Sequence, residues 1–238
     1  NDEVAFMLEP DLKVGRGGLR DVHALHWGAR LVEGARLDED QLAESYEVLL
    51  RARVALHRAA CRSGDRLLLE QQDAVARLLS YSDADVLMAD VASAARRIAW
   101  LSDMAWEGPL EERRPRRIGF RRRGSVSRPR PGVVVDASGR VELEESTPVT
   151  PQSVLAVAIV AAEHGGRIST ETLVRLGTEA IDVPEPWPDE LRSLFVDLLA
   201  AGKGAIRVVE TLDQLGLWVP FIPEWEPGRS RPQRNAYH

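Results

Sequence analysis

Ser82-Asp83-Ala84-Asp85-Val86-Leu87-Met88-Ala89-Asp90-Val91-Ala92-Ser93-Ala94-Ala95-Arg96-Arg97-Ile98-Ala99-Trp100-Leu101 carries the clearest fold signal in the chain. Leu87, Val91, Ala94, Ile98, Leu101 and Ala105 recur at alternating intervals of four and three. That spacing keeps one face of a helix turned toward partners along its whole length. Ser82-Asp83 supplies its N-cap. Working outward, Asp38 with Gln41 three residues on reads as a capping box. It opens a helix whose apolar face is expected at Leu42, Tyr46, Leu49, Leu50, Val54, His57 and Cys61. Ser63-Gly64-Asp65 breaks that helix. Leu67, Leu68, Val75, Leu78 and Leu79 predict another. An earlier helix begins near Leu19-Arg20-Asp21, with Val22, Leu25, Leu31 and Val32 on its apolar face. Residues 21–112 therefore read as a helical bundle.

Beyond it the composition changes. Nine arginines fall between Arg113 and Arg130, and three prolines, Pro115, Pro129 and Pro131, lie between positions 115 and 131. No helix is expected to persist there, and the plain reading is a solvated linker. Contact with an acidic surface is the alternative. Phe120 is the only aromatic in the run, so single-strand stacking has little support. Gly132-Val133-Val134-Val135-Asp136 and Arg140-Val141-Glu142-Leu143-Glu144 flank a glycine turn and predict a small hairpin. Residues 113–149 are thus linker and hairpin.

Four more helices are expected over 150–238. Thr150-Pro151 starts the first, through Val154, Val157, Ala158 and Ala161. Ser169 or Thr170 starts the second. Pro188-Asp189 starts the third, with Leu191, Leu194, Phe195, Leu198 and Leu199. The fourth follows Gly202-Lys203-Gly204, with Ile206, Val209, Leu212 and Leu215, and Gly216 closes it. Trp218 to Trp225 forms an apolar exit. The fold class is mainly α: a bundle, an Arg-rich linker with a hairpin, then a second helical subdomain.

Composition bounds the function. The chain has 238 residues and a net charge of −6, which argues against general nucleic-acid binding. One cysteine, Cys61, permits no internal disulfide and points to a reducing, cytoplasmic setting. No apolar run approaches the ~20 residues of a membrane helix. Both ends look cut, and the chain is expected to be an internal piece of a longer protein.

The one site-like feature is Glu9-Pro10-Asp11-Leu12-Lys13-Val14-Gly15-Arg16-Gly17-Gly18-Leu19-Arg20-Asp21. Residues 1–8 before it suit a short buried strand. The glycines permit close backbone approach, and a following helix N-terminus offers N–H groups to an anion. Lys13, Arg16 and Arg20 add positive charge. On residue types alone, a structural turn and a phosphate cradle both stand. His23 and His26 share a helix face, but two ligands do not make a zinc site. His57 and Cys61 are expected in the core.

This stretch, with Leu25 and Trp27, resembles the Glu-Pro-Asn-x-Lys-x-Gly-x-Gly-Gly-Leu-Arg-Asp signature of the bacterial PII uridylyltransferase/uridylyl-removing enzymes. Arg16 stands where that signature often has Pro or Lys. Arg53-Val54-Ala55-Leu56-His57, then Asp65-Arg66-Leu67 and Gln71 or Gln72, is similar to a second block of that family. Gly204 through Leu215-Gly216-Leu217 to Ile222-Pro223-Glu224-Trp225, and Tyr237-His238, resemble the approach to its phosphohydrolase domain. The resemblance implies a parent that uses UTP and Mg²⁺ to uridylylate the PII signalling protein and hydrolyses the UMP off again. It implies that residues 1–20 form the edge of an upstream nucleotidyltransferase domain. Residues 150–238 would lead into a downstream HD domain. Neither family catalytic motif, Gly-Ser with Asp-x-Asp or the His-Asp pair, is present, so no catalytic or metal-binding residue is expected here and the fragment alone should be inactive. Lys13, Gly17, Gly18, Arg20 and Asp21 would lie near the nucleotide phosphates. The alternatives are a non-catalytic module docking PII, or a piece of a glutamine-synthetase adenylyltransferase; the Arg53–His57 block argues against the latter.

Overall fold

The computed structural model describes residues 3–31, 39–112, 130–136 and 138–232. The described chain divides into two compact units, residues 1–118 with 227–238 and residues 119–226. Asp38, Val32, most of the arginine run and Tyr237-His238 lie outside the described residues.

In the first unit, α1 (Leu19–Leu31), α2 (Glu39–Ala60), α3 (Leu69–Leu78) and α4 (Ala84–Glu112) form the bundle. The α4 helix packs against the other three. Its N-terminus is capped as expected: Val86 N–H donates to Asp83 Oδ1 at 2.9 Å. Leu87, Val91, Ala94, Ile98 and Leu101 are all buried. Each large aliphatic side chain taken out of water contributes about 2 kcal/mol.

The α2 face differs from the expected one. Its buried line runs through Leu42, Ser45, Leu49, Ala52 and Leu56. Val54 is exposed, and so is Cys61, which follows the helix end with a positive φ of 50°. His57 is half-buried at the rim rather than in the core. Two small residues, Ser45 and Ala52, stand in the buried line, so a pattern read from large apolar side chains is offset from it. Likewise Leu78 of α3 is largely exposed. The expected N-terminal strand is instead a 3-10 turn, Val4–Phe6. Val4 N–H donates to Arg16 O at 3.0 Å, and Glu3 and Arg16 form an isolated bridge, so there is no ladder to extend. Val4 is buried, but Phe6 is exposed.

In the second unit, β1 (Val133–Val135) pairs antiparallel with β2 (Val141–Leu143), with Val134 opposite Glu142. Asp136 ties the turn, accepting from the N–H groups of Ser138 and Arg140 at 2.7 and 2.9 Å. α5 (Pro151–Glu163) is capped by Thr150 and buried continuously from Ser153 to Ala162. An apolar helix with no solvent face belongs at the centre of a unit. The hairpin, α7 (Asp189–Ala200) and α8 (Lys203–Gln214) pack around it, and α6 (Thr170–Thr178), capped by Ser169, adjoins β2.

Two expected core positions face solvent, Leu199 and Ile206. The buried line of α8 runs instead through Ala205, Val208, Thr211 and Leu212. Gly204 sets that rotation: a Cβ there would meet the Ala162 carbonyl oxygen at 2.4 Å. Gly216 closes α8 as expected, with φ 73°. Gly216 N–H bonds Asp213 O at 3.0 Å and Leu217 N–H bonds Leu212 O at 2.8 Å, the paired bonds of a Schellman end. Trp187, Phe195, Trp218 and Phe221 form an aromatic cluster, with Phe195 stacked on Trp218 at 5.6 Å. Among the described residues no helix is long and apolar enough to cross a membrane.

Candidate functional site

The glycine-rich stretch begins as a turn built on Asp11. Its Oδ1 accepts the N–H groups of Lys13 and Val14 at 2.9 and 2.8 Å. Gly15 N–H returns to Asp11 O at 3.3 Å, and Gly18 N–H to Gly15 O at 2.9 Å. Leu19 and Arg20 then donate to Leu12 O and Lys13 O, each at 3.0 Å. Asp21 closes the set, since its Oδ2 accepts Gly17 N–H at 2.7 Å. A carboxylate one turn into α1 therefore already occupies the place where the helix N-terminus attracts negative charge. The backbone amides of residues 17–21 are all bonded within the turn, which is the structural turn of the two readings left open by residue types.

The two glycines at the helix entry have structural partners. Gly17 has φ 80°, and a Cβ on it would stand 2.3 Å from the Ala95 carbonyl oxygen of α4. A Cβ on Gly18 would meet Gly15 O at 2.7 Å. Close backbone approach is realised here, against α4 and within the turn itself.

The cations behave differently from one another. Arg16 is held: its Nη1 lies 2.8 Å from Glu3 Oε1 and its Nη2 lies 2.7 Å from Asp103 Oδ2. Burial works against its charge, but the Asp103 and Glu3 carboxylates outweigh it and raise its pKa above the ordinary value. Asp103 is 87 residues away in sequence, and nothing local to the turn signals it. Lys13 is half exposed, with Nζ 3.7 Å from Asp65 Oδ2. Arg20 is exposed, and its side chain makes no ion pair with any described residue. Of the five sequence candidates, Lys13 and Arg20 present cationic heads at the surface, while Gly17, Gly18 and Asp21 build the turn.

Sequence reasoning did not single out what this turn rests on. The loop between α2 and α3 pairs with it: Leu12 N–H donates to Asp65 O at 2.8 Å, and Leu67 N–H donates to Pro10 O at 2.9 Å. Glu9 caps α3, accepting Leu69 N–H at 3.1 Å. Fully buried Gln72 donates from Nε2 to Leu8 O at 2.8 Å. Asp65 gathers side chains from α2 as well as Lys13 of the turn. Arg53 Nε sits 2.6 Å from its Oδ1, and His57 Nε2 sits 3.9 Å from the same oxygen and 2.8 Å from Gly64 O. Partial burial works to raise the Asp65 pKa, but the Arg53 hydrogen bond and charge, then Lys13 and His57, hold it below the usual carboxylate range. The two motif blocks, 9–21 and 53–72, are thus one structural junction. Among the described residues, no group of three or more His, Cys, Asp or Glu side chains is placed to hold a metal ion. The described residues here do not fit a Mg²⁺ site.

Residues 1–106 match the family model described as GlnD PII-uridylyltransferase. The chain is 38% identical over 99% of its length to a bifunctional uridylyltransferase/uridylyl-removing enzyme of Streptomyces coelicolor, covering 30% of that protein. It is 38% identical over 99% of its length to one from Corynebacterium glutamicum, covering 33%. It is 34% identical, also over 99%, to one from Mycobacterium tuberculosis, covering 30%. The chain therefore spans about a third of the length of these relatives. No solved structure matches it.

Proposed function

This chain belongs to the PII-uridylyltransferase family, and from that premise we propose that it is the helical section joining the two catalytic domains of a bifunctional PII uridylyltransferase/uridylyl-removing enzyme. The parent transfers UMP from UTP to the PII signalling protein with Mg²⁺ and hydrolyses it off again. The carboxylates that hold Mg²⁺ against the triphosphate lie outside this section. Residues 1–20 form the edge of the nucleotidyltransferase domain, 21–112 the bundle, and 113–149 the linker and hairpin, with the Arg113–Arg130 run as the candidate contact for an acidic surface. Residues 150–238 lead to the hydrolase domain.

The observation that carries this reading is the division of labour in the turn. Its amides, Gly17, Gly18 and Asp21 are committed to structure. Lys13 and Arg20 keep their charged ends at the surface. Such an edge binds phosphate through side-chain cations on a rigid backbone, and not through a glycine cradle. A charge-assisted contact of this kind contributes about 1.5–3 kcal/mol. In the full-length enzyme, Arg20→Ala is expected to lower kcat/KM for UTP by about tenfold or more with the thermal transition unchanged. Unchanged kinetics with a lowered transition would make the turn purely structural.

A further inference from the structure

We infer that Asp65 is a positioning residue for Lys13, setting where that ammonium stands at the transfer edge; this rests on the function proposed above. One residue fixes Lys13 twice. The Asp65 carbonyl accepts the N–H of Leu12, the residue before it, at 2.8 Å. The Asp65 carboxylate lies 3.7 Å from the Lys13 ammonium. That carboxylate is itself immobilised from the bundle side, because Arg53 reaches its other oxygen at 2.6 Å from within α2. The flanking residues repeat the attachment. Asp11 and Arg66 form an antiparallel bridge, and Glu9 ties down both Leu69 N–H and, at 3.9 Å, Arg66 Nε.

The chemistry of this arrangement is directional. A lysine on a flexible stem is a poorly placed point charge unless something restrains it. At 3.7 Å the ammonium is restrained without being fully used, and its side chain remains 48% exposed, so it has donors left for a phosphate oxygen. Arg53 and His57 crowd the same carboxylate from the far side. Arg53 holds the carboxylate in place and below the usual carboxylate range, and the carboxylate in turn limits how far Lys13 can swing. Position, not basicity, is what Asp65 supplies.

The test is a double-mutant cycle in the full-length enzyme, with UTP kinetics and a thermal melt on every variant. Lys13→Ala and Asp65→Asn are each expected to lower kcat/KM for UTP by about tenfold, roughly the loss of one charge-assisted contact. The double variant should be no worse than Lys13→Ala alone, because both changes remove the same placed charge. Asp65→Glu should recover part of the loss. Should Asp65→Asn fold poorly, the Glu variant and the exchange protection of the Leu12 amide carry the comparison. Losses that multiply in the double variant, or an Asp65→Asn enzyme with normal kcat/KM and only a lower melting temperature, overturn the inference. If Lys13→Ala and Arg20→Ala both leave UTP kinetics intact, the underlying functional reading fails, and the inference with it. A deficit in Lys13→Ala without one in Asp65→Asn sinks the inference alone.

Discussion

In the first unit, the glycine turn is held by charge as well as by backbone: Lys13 and Arg53 meet at Asp65 and Glu9 lies beside Arg66 on the loop between α2 and α3, while Arg16 ties the turn to Glu3 and to Asp103 of α4. In the second, α5 holds its neighbours by apolar burial on every side. The loop before α5 is pinned by one arginine, Arg175, which donates to the carbonyls of Leu143, Glu144 and Thr147 at 3.0, 3.1 and 2.7 Å. Both units also press a glycine against a helix carbonyl, Gly17 on Ala95 and Gly204 on Ala162. The shared device brings backbones together. What differs is the chemistry around it. An apolar hub suits a part that only has to hold its shape. A charged junction at the surface also places cations, and this is the use we assign to it.

The sharpest way to break the comparison is at the two glycines. Gly17→Ala adds a Cβ at positive φ into a backbone oxygen and is expected to destabilise the first unit by on the order of 4 kcal/mol. Gly204→Ala meets a similar clash at ordinary φ and regains helix propensity, so about 2 kcal/mol is expected in the second unit. Hydrogen exchange resolved by unit measures both. If the order is reversed, φ strain at Gly17 is unimportant. A smaller effect follows from Arg175→Ala, which leaves three carbonyls without their donor and should cost about 1–3 kcal/mol in the second unit alone. Arg175→Lys should recover little, since an ammonium cannot span them.

The smallest effect is electrostatic. The Asp65 pKa is depressed in the folded protein, so its stabilisation is present above the unfolded carboxylate value of about 3.9 and is lost as pH falls through the lower folded value. The first unit should therefore weaken on acidification below about pH 4, and Asp65→Asn should flatten that limb. Because the pair is partly exposed, the contribution is modest and salt-sensitive. An acid titration of junction amides that is identical in wild type and Asp65→Asn would remove Asp65 from the account.

Much of the fold is legible in the sequence because it is set by local spacing. The four-three repeat from Leu87 to Leu101, the Asp83 and Thr150 caps, the hairpin around Gly139 and the Gly216 helix end all form as their residues imply. What is not legible depends on partners distant in sequence. Small residues at 45 and 52 stand in the buried line of α2, so a pattern read from large apolar residues drifts off the true seam. Val4 to Leu8 form a continuous apolar run, as in a short buried strand, but among the described residues this stretch has only the isolated Glu3–Arg16 bridge. At the site, the five candidate residues are visible as a motif. That Gly17 faces α4, that Asp103 holds Arg16 and that Asp65 holds Lys13 are long-range facts that no local pattern encodes.

The central claim is that the glycine turn is a closed structural element whose surface cations serve phosphate binding. It is tested most directly by measuring kcat/KM for UTP and the thermal transition together for Arg20→Ala in the full-length enzyme. The account predicts a loss of about tenfold or more in kcat/KM with an unmoved transition. An unmoved kcat/KM with a lowered transition contradicts it.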